Sequence, residues 1–175
     1  MTRSRPRSLA RALLIGSAVV LAAACQDATA PVRGGDGLPA GLARGIYPLV
    51  SVASRTGGAA QVELYLKRVQ TSPSLASYQG ELTYDPHLLT LDHTDLPPGI
   101  IGATNEASPG HVRFAGAAVD GVGDVPVLAM RFTTHGDFGR GAFGVKVEEV
   151  VGAGDLADLT AQVAPGAPFF ATSGH

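Results

Sequence analysis

A chain of 175 residues, 45% hydrophobic and 16% charged, suits one packed domain with tails and is too apolar to be disordered throughout. Its 23 glycines and 12 prolines, with no tryptophan, favour short strands and many turns over long helices. The formal net charge is −2, and without a basic patch the chain is not expected to bind nucleic acid.

The first residues differ in kind from the rest. Arg3, Arg5, Arg7 and Arg11 form a basic region ahead of the apolar run "ALLIGSAVVLAAA", Ala12 to Ala24. That run of about 13 residues is short for the roughly 30 Å of a bilayer's hydrocarbon, and it ends in small residues, as secretory signals do. Cys25, the only cysteine, follows directly. The stretch "LAAAC" resembles the lipobox of bacterial lipoproteins, with Ala22 where that pattern usually has leucine. The resemblance implies a signal peptide over residues 1–24, lipid attachment at Cys25 and, with Gln26 next, sorting to the outer membrane of the cell envelope. A lone thiol has no intrachain disulfide partner in an oxidising compartment, and lipidation would give it a purpose. Loss of the four leading arginines leaves nine basic residues against 15 acidic ones, a net charge near −6.

Residues 25–44 lack periodicity and are rich in Gly, Ala and Pro, which predicts a flexible tether. Strand signatures then follow in order. "IYPLVSVAS" (46–54) is a first strand or an extended lead-in. "AQVELYLKRV" (60–69) puts Val62, Leu64 and Leu66 on one face and Glu63, Tyr65 and Lys67 on the other. "YQGELTY" (78–84) turns Tyr78, Gly80, Leu82 and Tyr84 inward and Gln79, Glu81 and Thr83 outward. "LLTLDH" (88–93) is another short strand. "HVRFAGAAV" (111–119) buries Val112 and Phe114, with His111 and Arg113 outside. "VPVLAMRFTT" (125–134) offers Leu128, Met130 and Phe132 to the core. "GAFGVKVEEVVG" (141–152) offers Phe143, Val145 and Val147. "GDLADLTAQV" (154–163) suits a short helical turn or a last strand. Residues 164–175 read as a loose tail in which Phe169 and Phe170 can dock. Period-2 alternation over about seven segments predicts an all-β antiparallel sandwich spanning residues 45–163.

Between two of these strands lies "TYDPHLLTLD". Pro86 cannot donate to a ladder and disfavours helical geometry at Asp85, while the Asp85 carboxylate can accept from nearby amides, so Asp-Pro ends the strand in a turn. Leu88, Leu89 and Leu91 then return the chain to the core, with His87 in water.

The succession "GELTYDPHLLTL", the Gly-closed loop "LPPGI", the Asn-containing loop "TNEASPGHVRFAGAA" and "VPVLAMRFTT", followed by a Gly-rich turn and a Val-rich strand, resembles the cohesin pattern from about residue 60 to residue 159. The resemblance implies a jelly-roll sandwich of about eight or nine strands, related to carbohydrate-binding modules, that binds a dockerin-like protein. Transferred position by position, the partner-binding face would carry Gln79, Glu81, Thr83, Arg113 and Arg131. The alternative is a carbohydrate-binding module, a polysaccharide ligand replacing the protein. That reading would normally call for exposed aromatic platforms, and only Tyr65 is placed outward here.

Motifs for catalysis are missing. His87, His93, His111, His135 and His175 lack zinc-site spacing, and there is no Gly-x-Ser-x-Gly elbow or Walker-type loop. Asp120 and Asp124, Asp155 and Asp158, and His93 with Asp92 and Asp95 could ligate a metal, yet each sits where a turn or strand exit needs a polar residue. The expectation is a binding module without cofactor or metal, and not an enzyme.

Overall fold

The structure is a computed structural model that describes residues 38–70 and 74–172. Among these described residues nine strands form in chain order: β1 (Gly45–Thr56), β2 (Ala59–Val69), β3 (Leu75–Tyr84), β4 (Leu89–Asp95), β5 (Ile101–Ser108), β6 (His111–Val122), β7 (Leu128–Thr134), β8 (Phe143–Gly152) and β9 (Phe169–Thr172). Short 3-10 turns occupy Arg140–Ala142 and Thr160–Gln162. One sheet has the order β4-β7-β2-β1-β9 and the other β5-β6-β3-β8. Every pairing is antiparallel except β1 with β9. The all-β sandwich expected from the alternation is present.

The inward positions are those the period-2 patterns select. Val62, Leu64, Leu82, Val112, Leu128 and Phe132 have no exposed surface, and they pack with Tyr78, Phe114, Met130 and Phe143 in one cluster between the sheets. A Tyr78 hydroxyl bond to the Val127 carbonyl, 2.7 Å, ties the two sheets across that core. Burial raises the Tyr78 pKa because the phenolate would lose its hydration. Gly80 has a steric role. A Cβ there would stand 2.5 Å from the Lys146 carbonyl and 2.9 Å from the Phe114 ring, so only glycine lets β3 lie this close to its neighbours. On β8 the extra residue Glu148 makes a bulge opposite Gln79 and Gly80. The inward set therefore runs Phe143, Val145, Val147 and then Val150.

The Asp-Pro turn is architectural. The Asp85 carboxylate accepts from the His87 amide at 2.9 Å, its carbonyl accepts from Leu88 and Leu89, and its own amide donates to the Ala142 carbonyl. His87 is exposed and Leu89 is fully buried.

Three expectations need correction. Residues 104–108, read as the start of an Asn-containing loop, belong to β5, which begins at Ile101. It is an edge strand with exposed residues and no apolar alternation to announce it. The supposed tail pairs as β9 beside β1, with Phe170 stacked on Phe143 (ring centroids 6.1 Å) and Phe169 edge-on to Tyr47 (5.9 Å). The end of the supposed tether also packs. Leu38 is buried with Tyr47 and Leu49 on the outer face of the five-stranded sheet, joined by Leu42, Tyr65 and Phe169. These ends cover β1 from outside, which is why its residues 45–50 are buried on both faces. The signal peptide and Cys25 lie outside the described residues, as does most of the tether.

Candidate functional site

Across the outer face of the four-stranded sheet, cross-strand register sets side chains in rows. One row runs Asn105, Arg113, Glu81, Lys146 from β5 to β8. A second runs Ala103, Ala115, Gln79, Glu149, and a third Ser108, His111, Thr83, Gly144. At the other end stand Ile101, Ala117, Ser77 and Val151. The face is polar and charged toward the β3–β4 turn. Toward its other end it is apolar and made mostly of small side chains. A shallow depression over its centre is lined by Gln79, Ala103, Asn105, Arg113, Ala115 and Glu148.

Glu81 is the electrostatic centre. Its carboxylate meets the His111 ring at 2.6 Å, and Arg113 and Lys146 flank it on the two neighbouring strands. The hydrogen bond to His111 is the largest influence holding the Glu81 carboxyl below its ordinary value, and the charges of His111, Arg113 and Lys146 add to it. Lys146 also reaches Glu148 at 3.3 Å. Because the folded-state pKa is depressed, Glu81 stabilises the fold above the ordinary carboxylate range and loses that effect as pH falls through its folded value. The stability difference between wild type and Glu81→Gln should therefore be greatest near neutral pH and shrink on acidification. Parallel denaturant titrations at several pH values would check this, and a difference that grows in acid would contradict it.

The structure brings together Gln79, Glu81, Thr83 and Arg113 and separates Arg131 from them. Arg131 sits on β7, which belongs to the five-stranded sheet, and pairs there with Gln61 and His93. The connection after β6 crosses from one sheet to the other, so an outward residue on β7 projects from the side of the sandwich opposite Glu81 and Arg113. Sequence reading missed Lys146, which its outward place in "GVKVEEV" signals. It also missed Asn105 and Ala103, which nothing in the pattern marks. Placing His111 outward was correct, but its contact with Glu81 depends on strand pairing.

Most of the other polar candidates have local partners. Asp155 accepts from the Ala157 amide and Asp158 from the Thr160 amide; a bond from the Thr160 side chain, and then this amide bond, lower the Asp158 pKa. Asp124 pairs with Lys67, His93 with Asp95, and Asp92 accepts from Thr133. Among the described residues no three metal-ligating side chains converge. The outer rows of the four-stranded sheet contain no aromatic ring. Tyr65, on the other sheet, is half-buried against Glu63, and its pKa is raised to about 12, mainly by desolvation. A sugar would find no ring platform on the four-stranded face.

No family model and no curated protein sequence matches the chain. Solved structures do. The sixth cohesin of scaffoldin B from Acetivibrio cellulolyticus, in complex with a mutant Cel5 dockerin, superposes with a TM-score of 0.53 at 14% identity, covering 74% of this chain and 99% of that one. The OlpA cohesin from Clostridium thermocellum, also in a cohesin–dockerin complex, gives 0.54 at 12% identity over 72% and 99%. A non-cellulosomal cohesin from the archaeon Archaeoglobus fulgidus gives 0.52 at 12% identity over 73% and 86%. At this identity the likeness is one of architecture, and it spans almost the whole of the first two chains. The described part of this protein is a cohesin-like β-sandwich domain.

Proposed function

We propose that this domain is a protein-binding module and not an enzyme, and that the outer face of β5-β6-β3-β8 receives a dockerin-like partner. The observation that carries the reading is a solvent-facing sheet that combines an exposed charged row, Arg113–Glu81–Lys146, with a flat small-residue surface at Ala103, Ala115 and Ala117. Such a surface allows close approach, and the charges set orientation and partner choice. Two of the superposed cohesins were solved with dockerins bound, which supports a protein ligand over a polysaccharide.

Dockerin-repeat proteins from the same genome, purified singly and titrated by calorimetry, test this. Binding is expected, and reversing Glu81, Arg113 and Lys146 together should weaken it at least about tenfold by removing charge complementarity. Arg131→Glu, on the opposite sheet, should leave affinity unchanged. Loss of binding on Arg131→Glu with retention in the triple reversal would place the site on the wrong sheet.

The reading includes lipid anchoring at Cys25 in the cell envelope, supported by the basic-apolar-cysteine order of residues 3–25. Labelled palmitate should be incorporated by the wild-type chain in a bacterial host and not by Cys25→Ala. Equal labelling of both would remove the anchor.

A further inference from the structure

A sandwich has four sheet edges, and an open edge is a template for another strand unless something blocks it. Three of the four here are guarded. β4 carries a bulge at Asp92, the polar residues His93 and Asp95, and Pro97 and Pro98 just beyond. β8 has its bulge at Glu148, and residues 157–160 lie along it, with the Ala157 carbonyl accepting from Gly152, Leu159 donating to Val150 and the Thr160 hydroxyl accepting from Val150. β9 is only four residues long.

β5 is different. Its sequence IGATNEAS has no proline or basic residue, among the described residues it hydrogen-bonds as a strand to β6 alone, and its one irregularity comes at Ala107, near its end. Its single charge, Glu106, is engaged by the Tyr84 hydroxyl. Ile101 is 77% exposed at its start, and Val119 on β6 is 94% exposed.

We propose that β5 is a docking edge for a second copy of this chain, the two β5 strands pairing antiparallel about a two-fold axis at Thr104. The strand is self-complementary in that register. Ala103 faces the partner copy's Asn105, Ile101 faces Ala107, and Glu106 faces Gly102, so no like charges meet. An isologous contact of this kind closes on itself and stops at the dimer. The two four-stranded sheets become one of eight strands, and both Arg113–Glu81–Lys146 rows stay open to a partner. The contact is small, which makes the association weak and concentration-dependent. It does not depend on the partner-binding reading and is tested without any partner.

Sedimentation equilibrium of the full chain in density-matched detergent should show monomer and dimer exchanging with concentration. Ala103→Lys with Asn105→Lys puts lysine opposite lysine twice across the two-fold and should weaken the dimer at least about tenfold. Ala103→Glu with Asn105→Lys puts opposite charges at the same places and should restore it. Both side chains point to solvent in the monomer, and circular dichroism of the two variants confirms an unchanged fold. A wild-type chain that stays monomeric up to about 1 mM, far above the range of specific association, overturns the proposal and leaves the edge to a foreign strand. Equal association of the two variants overturns it as well, because the contact then lies elsewhere.

Discussion

Phe132→Ala should destabilise the domain by about 3–5 kcal/mol, the range for a large aromatic truncated in a core that cannot collapse around the gap. Phe132 has no exposed surface, and its ring lies 5.0 Å from Tyr84 and 6.1 Å from Phe143, centroid to centroid, both edge-on. Phe138 packs on Phe143 in turn, at 5.8 Å. The cluster joins β7 of one sheet to β3 and β8 of the other, so the cavity would open between the sheets. Neighbours held by their own ladders cannot move in to fill it. A thermal melt should show a midpoint lower by roughly 10 °C or more for a domain of this size. Phe132→Leu should recover much of that loss by refilling volume. A fall of only a degree or two for the alanine variant would mean that the sheets close over the gap and that this cluster does not hold them.

Ending the chain at Pro168 is expected to cost roughly 3 kcal/mol or more, since two aromatic side chains and a strand pairing go together. β9 pairs in parallel with Leu49 to Val52 on β1, and its two phenylalanines serve opposite faces. Phe170 stacks on Phe143 of the main core, and Phe169 meets Tyr47 in the outer cluster with Leu38 and Leu49. Their loss would uncover part of β1, whose apolar outer face packs against Phe169 and Ala171 as well as Leu38 and Leu42. Guanidinium unfolding of the shortened chain, compared with Phe169→Ala and Phe170→Ala, would divide the effect between the faces. An unchanged midpoint on truncation would show that the strand pairing contributes nothing to stability.

Inward positions were legible because the period-2 signal is strong wherever one face of a strand is dry. Tyr78, Leu82, Val112, Phe114, Met130 and Phe132 all follow it. β5 was not legible. Its outward Ala103 and Asn105 face solvent, and its inward Thr104 and Glu106 bond Thr94 and Tyr84, so no apolar alternation develops. β9 is four residues long and follows a Gly-Pro-rich segment, so its assignment rests on docking. In the candidate site, outward orientation was readable for Gln79, Glu81, Thr83 and Arg113. That Arg131 belongs to the other sheet, and that Lys146 completes the row, depends on pairings between strands distant in sequence.

By itself, the sequence determined which residues of the clearly alternating strands turn to the core and where the Asp85-Pro86 turn ends β3, because alternation and proline act over a few residues. Only the tertiary structure decided which strands share a sheet, how register aligns Arg113, Glu81 and Lys146, and which edge stays open. Those outcomes depend on long-range pairing and on how the chain crosses between sheets, and neither leaves a local trace.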